Sequence, residues 1–205
     1  MLQVYLVRHG ETQWNAERRI QGQSDSPLTD KGVQQAWQVA ERARTLGITH
    51  VISSDLGRTQ QTARIIADAC GCDVTLEPRL RELDMGVLEK RPIDTLTEIE
   101  EGWRRTLVNG TEDGRIPEGE SMQELCLKLP AGSRPLLVSH GIALGCLVST
   151  ILGLPAYAER RLRLRNCSIS RIDYQESAWL ASGWVVEMAG DISHLDAPAL
   201  DELQR

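Results

Sequence analysis

LQVYLVRHGETQWN, from Leu2 to Asn15, is the stretch whose reading decides the rest of this chain. Val4, Tyr5, Leu6 and Val7 make a short run of β-branched and apolar residues. Such a run reads as a strand buried on both faces, the state of a central parallel strand. It stops at Arg8-His9-Gly10. A cation and an imidazole at the carboxyl end of a central strand stand where open α/β sheets bind their ligands. Gly10 lets the backbone turn sharply or approach a ligand. Glu11, Thr12 and Asn15 follow, polar groups that can line the same mouth.

Beyond this strand the pattern alternates. Gln21 to Pro27 is a loop of turn formers. Thr29 caps a helix whose apolar stripe is Val33, Ala36, Trp37, Ala40 and Ala43, with Gly47 as its stop. His50 to Ser53 reads as a second buried strand. Ser54 or Asp55 caps the next helix, whose inner face is Ala63, Ile66, Ala67 and Cys70. Asp73 to Leu76 is a weak third strand. From about 79 to 119 the pattern loosens; only Leu96, Ile99, Trp103 and Leu107 keep helical spacing. This part reads as an excursion above the sheet, built for ligand contact. Leu136 to Ser139 is another central strand, ending at His140-Gly141, and a buried helix follows from Ile142 to Leu152. Ser168–Tyr174 and Trp184–Met188 form a hairpin across Gly183, and the acidic tail from Gly190 frays or docks loosely. Strands alternating with helices argue for α/β.

The composition sets outer limits. A chain of 205 residues suits one domain with a core of its own. A net charge of −6 argues against nucleic acid as a partner. No run approaches the roughly 18 apolar residues of a membrane span, and no signal peptide is expected. Five cysteines without framework spacing favour reduced thiols and a cytoplasmic setting. Cys70-Gly71-Cys72 is not zinc spacing, so packing is the expected role of its thiols and no metal site is expected. Trp37 and Trp103 are expected in the core.

The chemistry-bearing residues sit at strand ends. His9 follows one central strand and His140 another, while Arg58 opens the helix after the second strand. Arg8 and Arg58 carry planar forks that match phosphate oxygens. The amides at Gly141 and Ile142 start a helix, a ready anion site. So many cationic groups at one spot call for a multiply charged anion, and a phosphoryl group is the natural candidate. One histidine attacks phosphorus through a neutral ring nitrogen; the other, if protonated, stabilises the equatorial oxygens. An alkoxide leaving group needs a proton, and Glu82 is the acid best placed in sequence.

LVRHGETQWN resembles the signature of the histidine phosphatase superfamily, the branch that includes the cofactor-dependent phosphoglycerate mutases, and most of all its short bacterial group. SSDLGRTQQTA, RELDMGVLE, GES at Gly119 to Ser121 and VSHG continue the resemblance in family order over nearly the whole chain. The pattern and the resemblance together imply an α/β three-layer αβα sandwich, with a central, mostly parallel sheet and one edge strand antiparallel, in a single domain over 1–205. The resemblance implies that His9 is the nucleophile and that Arg8, Arg58 and His140 bind the phosphoryl oxygens. It makes Glu82 the proton donor and acceptor. It places Asn15, Gln21 and Gly22 at the substrate mouth and has Gly141 supply a backbone amide; Gln60 and Ile142 are expected beside them as substrate-binding residues. Arg104 and Arg105 align with a pair that in mutases meets the substrate's carboxylate and second phosphate. It implies no metal and no required cofactor, with 2,3-bisphosphoglycerate as a phosphoryl primer only in a true mutase. The partner is a small phosphorylated metabolite, and a homodimer is left open.

Two departures from that pattern carry expectations. Gln60 and Gln61 stand where close relatives often have another basic residue, which weakens the field for a bisphosphate. The crossover between Ser121 and Pro135 is short. Met122 to Lys128 make about two helical turns, ~10 Å at about 1.5 Å per residue. Parallel strands need about a dozen residues or more. Residues are therefore expected to be missing between Leu125 and Pro130, through a deletion or closed-up numbering. A mutase, a phosphatase acting through the same phosphohistidine, and a silent phosphometabolite-binding module remain as readings. Because His9 and Glu82 are both present, the silent module ranks last.

Overall fold

A computed structural model describes residues 2–109, 134–154, 158, 161–174 and 183–196, with side chains to 104 in the first stretch. The chain runs through β1 (Leu2–Arg8), α1 (Gln13–Ala16), α2 (Asp30–Arg44), β2 (His50–Ser53), α3 (Gly57–Cys70) and β3 (Val74–Leu76). Then come α4 (Glu98–Asn109), β4 (Pro135–Ser139), α5 (Gly141–Ile151), β5 (Ile169–Tyr174) and β6 (Trp184–Asp191). The strands form one sheet in the order β3-β2-β4-β1-β5-β6. β1, β2, β3 and β4 pair in parallel, while β5 runs antiparallel to β1 and β6 antiparallel to β5. The mostly parallel sheet with its reversal toward one edge holds; the reversed strand is β5, and β6 lies outside it.

Alternation along the central strands feeds two cores. Tyr5, Val7, Val51, Leu136 and Val138 face α2 and α3, packing on Ala36, Val39, Ala40, Ala43, Ala63 and Ile66. Val4, Leu6, Leu137 and Ile172 face the other way, against Leu144, Leu147 and Val148 of α5. Because successive strand residues point to opposite faces, the VYLV run is fully enclosed only when helices cover both sides. A third apolar cluster lies beneath the 79–109 excursion. Ile20, Leu83, Met85, Leu88, Ala143 and Cys146 pack there, with Leu96, Trp103 and Ile142 against them.

Several expectations are corrected. Trp37 is half exposed rather than core. Helical residues advance about 100°, so a face centred on Ala36, Val39, Ala40 and Ala43 leaves Trp37 at its margin, and Gln35 is buried instead. Ile99 is exposed. The first turn of α3 is capped by neither Ser54 nor Asp55. Its N-cap residue, Leu56, makes no side-chain cap, and the Arg58 amide donates to Asp25 Oδ1 at 3.3 Å. Asp55 is taken up by a two-pronged ion pair with Arg81. The segment after Gly190 is docked as far as described: His194 Nε2 donates to the Cys167 carbonyl at 2.9 Å and Leu195 packs on the core. Thr29 does cap α2, accepting from the Gly32 amide at 3.0 Å. The short 121–135 crossover, apart from its last two residues, lies outside the described residues. No helix among the described residues is long and apolar enough to cross a membrane.

Candidate active site

Strand register assembles the site. Arg8 of β1 pairs with Ser139 of β4, and the next residue on each strand is a histidine. The His9 amide continues the ladder, donating to the Ser139 carbonyl at 3.0 Å. The two imidazoles therefore emerge side by side, with ring centroids 5.3 Å apart and planes at 60°. On the other side of β4, the Ser54 amide donates to the Val138 carbonyl at 3.0 Å. That brings Ser54 Oγ to 3.0 Å from His140 Nε2. Both histidines are buried.

The backbone after His9 is held closely. His9 Nδ1 lies 2.8 Å from the Gly10 carbonyl oxygen. A carbonyl only accepts, so Nδ1 carries the hydrogen and Nε2 keeps its lone pair. The Gly10 amide donates to Thr62 Oγ1 at 3.1 Å. A Cβ at residue 10 would stand 2.5 Å from the Gly32 carbonyl oxygen, so glycine is required by close approach of two backbones. Glu11 turns away from the mouth: its carboxylate takes the Thr29 hydroxyl at 3.1 Å and Lys31 Nζ at 3.0 Å.

Two guanidiniums flank the imidazoles. Arg58 is almost fully buried and held by backbone carbonyls. One amino nitrogen donates to Ser24 O at 2.8 Å and Asp25 Oδ1 at 3.0 Å, the other to Gly22 O at 2.7 Å. Its Nε is buried with no hydrogen-bond partner among the described residues. Arg8 donates to the Leu164 carbonyl at 3.0 Å and lies against Gly141, where a Cβ would meet its Cζ and Nε at 3.4 Å. Burial first, then the charges of Arg58 and Arg8, hold the His9 pKa well below the ordinary histidine value, against the Gly10 hydrogen bond. Burial, Arg58, His9 and Arg8 do the same to His140. Both rings therefore favour the neutral form at neutral pH when no anion is bound. A dianion between them would reverse part of that penalty.

The opening turn of α5 already holds an anion. Glu82 Oε2 accepts from the Ile142 amide at 3.2 Å, and Oε1 accepts from Ala143 at 3.0 Å and from its neighbour Leu83 at 3.1 Å. Helix N-termini favour negative charge, and here the occupant is the expected acid. The Ile142 amide, expected at the substrate mouth, is spent on Glu82.

The other expected mouth residues divide. Asn15 and Gln21 are buried, and Gln21 Oε1 has no partner among the described residues. Asn15 is partly committed: its Oδ1 accepts from the Thr12 amide at 3.1 Å and from Asn166 at 3.3 Å. Gly22, at φ +55°, supports Arg58 through its carbonyl. Gln60 is tied to the Asp55 carbonyl at 2.7 Å and to Arg64 at 3.1 Å. Arg104 forms a two-pronged pair with Glu101 at 2.6 and 2.7 Å. The Arg105 side chain lies outside the described residues.

Four supporting residues escaped the sequence reading. Asp25 bonds Arg58, Ser54 bonds His140, Asn166 donates to the His9 carbonyl at 3.0 Å, and Glu89 gathers the amides of Gln23, Ser24 and Met85. Ser54 directly follows a strand, a legible position; the other three sit in loops with no periodic signal. Among the described residues no cluster of three or more His, Cys, Asp or Glu side chains could hold a metal ion.

Comparison with known proteins agrees with this geometry. The chain is 88% identical to a protein of Enterobacter sp. (strain 638) named "Probable phosphoglycerate mutase GpmB", covering all of both chains. That alignment runs over 215 positions, ten more than the 205 residues here, so this chain lacks sequence that its relative carries. Among solved structures, Bacillus stearothermophilus YhfR aligns with a TM-score of 0.84 at 26% identity, over 95% of this chain and 99% of its own. A phosphoserine phosphatase mutant from Entamoeba histolytica, in complex with phosphoserine, aligns with a TM-score of 0.79 at 26% identity, over 95% of this chain and all of its own. The profile described as histidine phosphatase superfamily (branch 1) matches residues 4–187, from inside β1 to inside β6, and the chain belongs to that superfamily.

Proposed function

We propose that this protein transfers phosphoryl groups from small phosphorylated metabolites through a phosphohistidine at His9, and that its net reaction is hydrolysis of a phosphomonoester. The observation that carries this is the fixed His9 tautomer. With Nδ1–H donated to Gly10, the Nε2 lone pair stands beside His140 and between two arginines.

His9 Nε2 attacks phosphorus, a P–N bond forms, and the P–O bond to the leaving alcohol breaks. Glu82, beside the start of α5, takes up a proton as the substrate's phosphate binds and gives it to the departing oxygen. Water then attacks the phosphohistidine; Glu82 takes a proton from it, and the P–N electron pair returns to Nε2. His140 Nδ1 is buried with no partner among the described residues, and the tautomer with its hydrogen there, Ser54 then donating to Nε2, would give a phosphoryl oxygen a donor. Arg58 Nε offers another. These preorganised donors supply the charge stabilisation that a metal supplies in other phosphoryl transferases, so the reaction needs no metal in this reading.

Mutase activity is the second reading, favoured by the name of the 88% identical relative. It requires the bisphosphorylated intermediate to be held while it reorients, which calls for further cations. Arg104 is neutralised by Glu101, and Gln60 adds no charge, which favours hydrolysis. The absence of disulfides among the described cysteines accords with a cytoplasmic setting.

The deciding experiment incubates the protein with 3-phosphoglycerate, with and without 2,3-bisphosphoglycerate, and with a panel of phosphomonoesters. Free phosphate supports the phosphatase, 2-phosphoglycerate the mutase. Turnover of nothing in the panel contradicts both.

A further inference from the structure

Glu89 is assigned no part in the chemistry above, yet its carboxylate collects four hydrogen bonds. Oε1 accepts from the Gln23 amide at 2.7 Å and the Met85 amide at 3.2 Å; Oε2 accepts from the Ser24 amide at 2.8 Å and from the Ser24 hydroxyl. Three of these donors lie in the loop that holds Arg58.

The coupling runs through single residues. The peptide group joining Gly22 to Gln23 gives its N–H to Glu89 at 2.7 Å and its carbonyl to Arg58 at 2.7 Å. Ser24 links the two side chains through neighbouring peptide groups, with its N–H on Glu89 at 2.8 Å and its carbonyl on Arg58 at 2.8 Å. A carboxylate and a guanidinium thus grip one loop from opposite sides. In the Gly22–Gln23 peptide, negative charge at the N–H end and positive charge at the carbonyl end polarise one group, and both of its bonds gain. The loop is pressed onto the carboxylate: Gly22 has φ +55°, and a Cβ there would come within 2.2 Å of Glu89 Oε1. The Met85 amide fastens the same carboxylate to the segment carrying Glu82, and Gln23 Nε2 donates to the Glu82 carbonyl at 3.3 Å.

We infer that Glu89 is a positioning residue for phosphoryl transfer: by clamping Gly22–Ser24 it sets the Arg58 guanidinium against the phosphoryl group. This rests on the reading of the site as a phosphohistidine enzyme.

The test compares wild-type protein, Glu89→Gln and Ser24→Ala, each with Arg58 intact and with Arg58→Gln. The dissociation constant for orthovanadate is read by calorimetry, and kcat and KM with p-nitrophenyl phosphate. Glutamine keeps the shape of Glu89 but offers one acceptor and turns an NH2 toward amide donors. Hydrogen bonds to a charged group are lost, so Glu89→Gln should weaken vanadate binding by about tenfold to a hundredfold and lower kcat alongside. Ser24→Ala, which removes one hydroxyl and leaves the backbone, should weaken it by about twofold to fivefold, and decides alone if Glu89→Gln does not fold. In the Arg58→Gln background both effects should shrink to within about twofold, because the residue being positioned is gone. Unchanged vanadate affinity and kcat in folded variants, or an equal loss with and without Arg58, would overturn the inference. If wild-type protein binds vanadate but turns over no phosphomonoester, the activity reading fails while the vanadate comparison still decides on Glu89. If it does not bind vanadate, both fall.

Discussion

The carboxylate of Glu82 and the backbone amide of Ala143 are hydrogen-bonded at 3.0 Å, so the general acid of the proposed reaction sits on the first turn of the helix that follows the second histidine. Glu82 also faces Arg58, whose charge it helps to stabilise. The acid is thereby placed before substrate arrives. Glu82→Gln should remove proton donation but keep the shape. Turnover of an alkyl phosphate should fall by about a hundredfold to ten-thousandfold, the usual range for a general acid. Formation of the phosphohistidine from p-nitrophenyl phosphate, whose leaving group needs no proton, should slow far less, read as the pre-steady-state release of nitrophenol, because Glu82 serves the later water step for both substrates alike. Equal slowing of that first step with both substrates would remove Glu82 from proton donation.

The pH dependence of activity follows from the histidines. His9 is held well below the ordinary histidine value, chiefly by burial and then by Arg58 and Arg8. The nucleophile accordingly stays unprotonated as pH falls through about 6.5. We expect kcat/KM, corrected for the substrate's own phosphate ionisation, to show no acid limb near about pH 6.5. A corrected profile that halves there would show an unshifted nucleophile.

Stability should move the other way. Unfolded histidines protonate near about pH 6.5, whereas buried His9 and His140 resist it, so the unfolded state binds more protons as pH falls. Folding stability should be unaffected by these groups above about pH 7. Below about pH 6.5 it should decline, with up to about 1.4 kcal/mol per pH unit from each histidine until its folded-state pKa is reached. Urea denaturation between about pH 7.5 and about pH 5 checks this. His140→Asn should flatten the slope; an unchanged slope would contradict the assignment.

Much of this site was legible because it hangs on strand ends. VYLVRH and LLVSH each announce a buried strand and the residue just beyond it, and parallel pairing of Arg8 with Ser139 does the rest. Trp37 was misread because its spacing fits a stripe whose centre lies on the neighbouring residues. Asp25, Asn166 and Glu89 were invisible for a different reason. Asp25 and Asn166 stand in loops and Glu89 grips the amides of one, and loop geometry leaves no period in a sequence. That the opening turn of α5 is occupied by Glu82 was equally hidden, since the two segments lie some 60 residues apart.

Close backbone packing behind the nucleophile gives a further expectation. A Cβ on Gly32 would stand 2.0 Å from the Glu11 carbonyl oxygen, a contact between main chains that no rotamer relieves. Gly32→Ala should cost about 2–3 kcal/mol of stability in a denaturation experiment. It should also lower activity, because α2 and the RHGE segment must part. Wild-type stability would mean that the two backbones lie further apart than described.

The most direct measurement is capture of the phosphoenzyme. Protein mixed with a 32P-labelled phosphomonoester that it turns over, then quenched in alkali, should carry an alkali-stable, acid-labile label that peptide mapping places on His9, and His9→Ala should carry none and turn nothing over. A label on another residue, or turnover that persists in His9→Ala, would contradict the account.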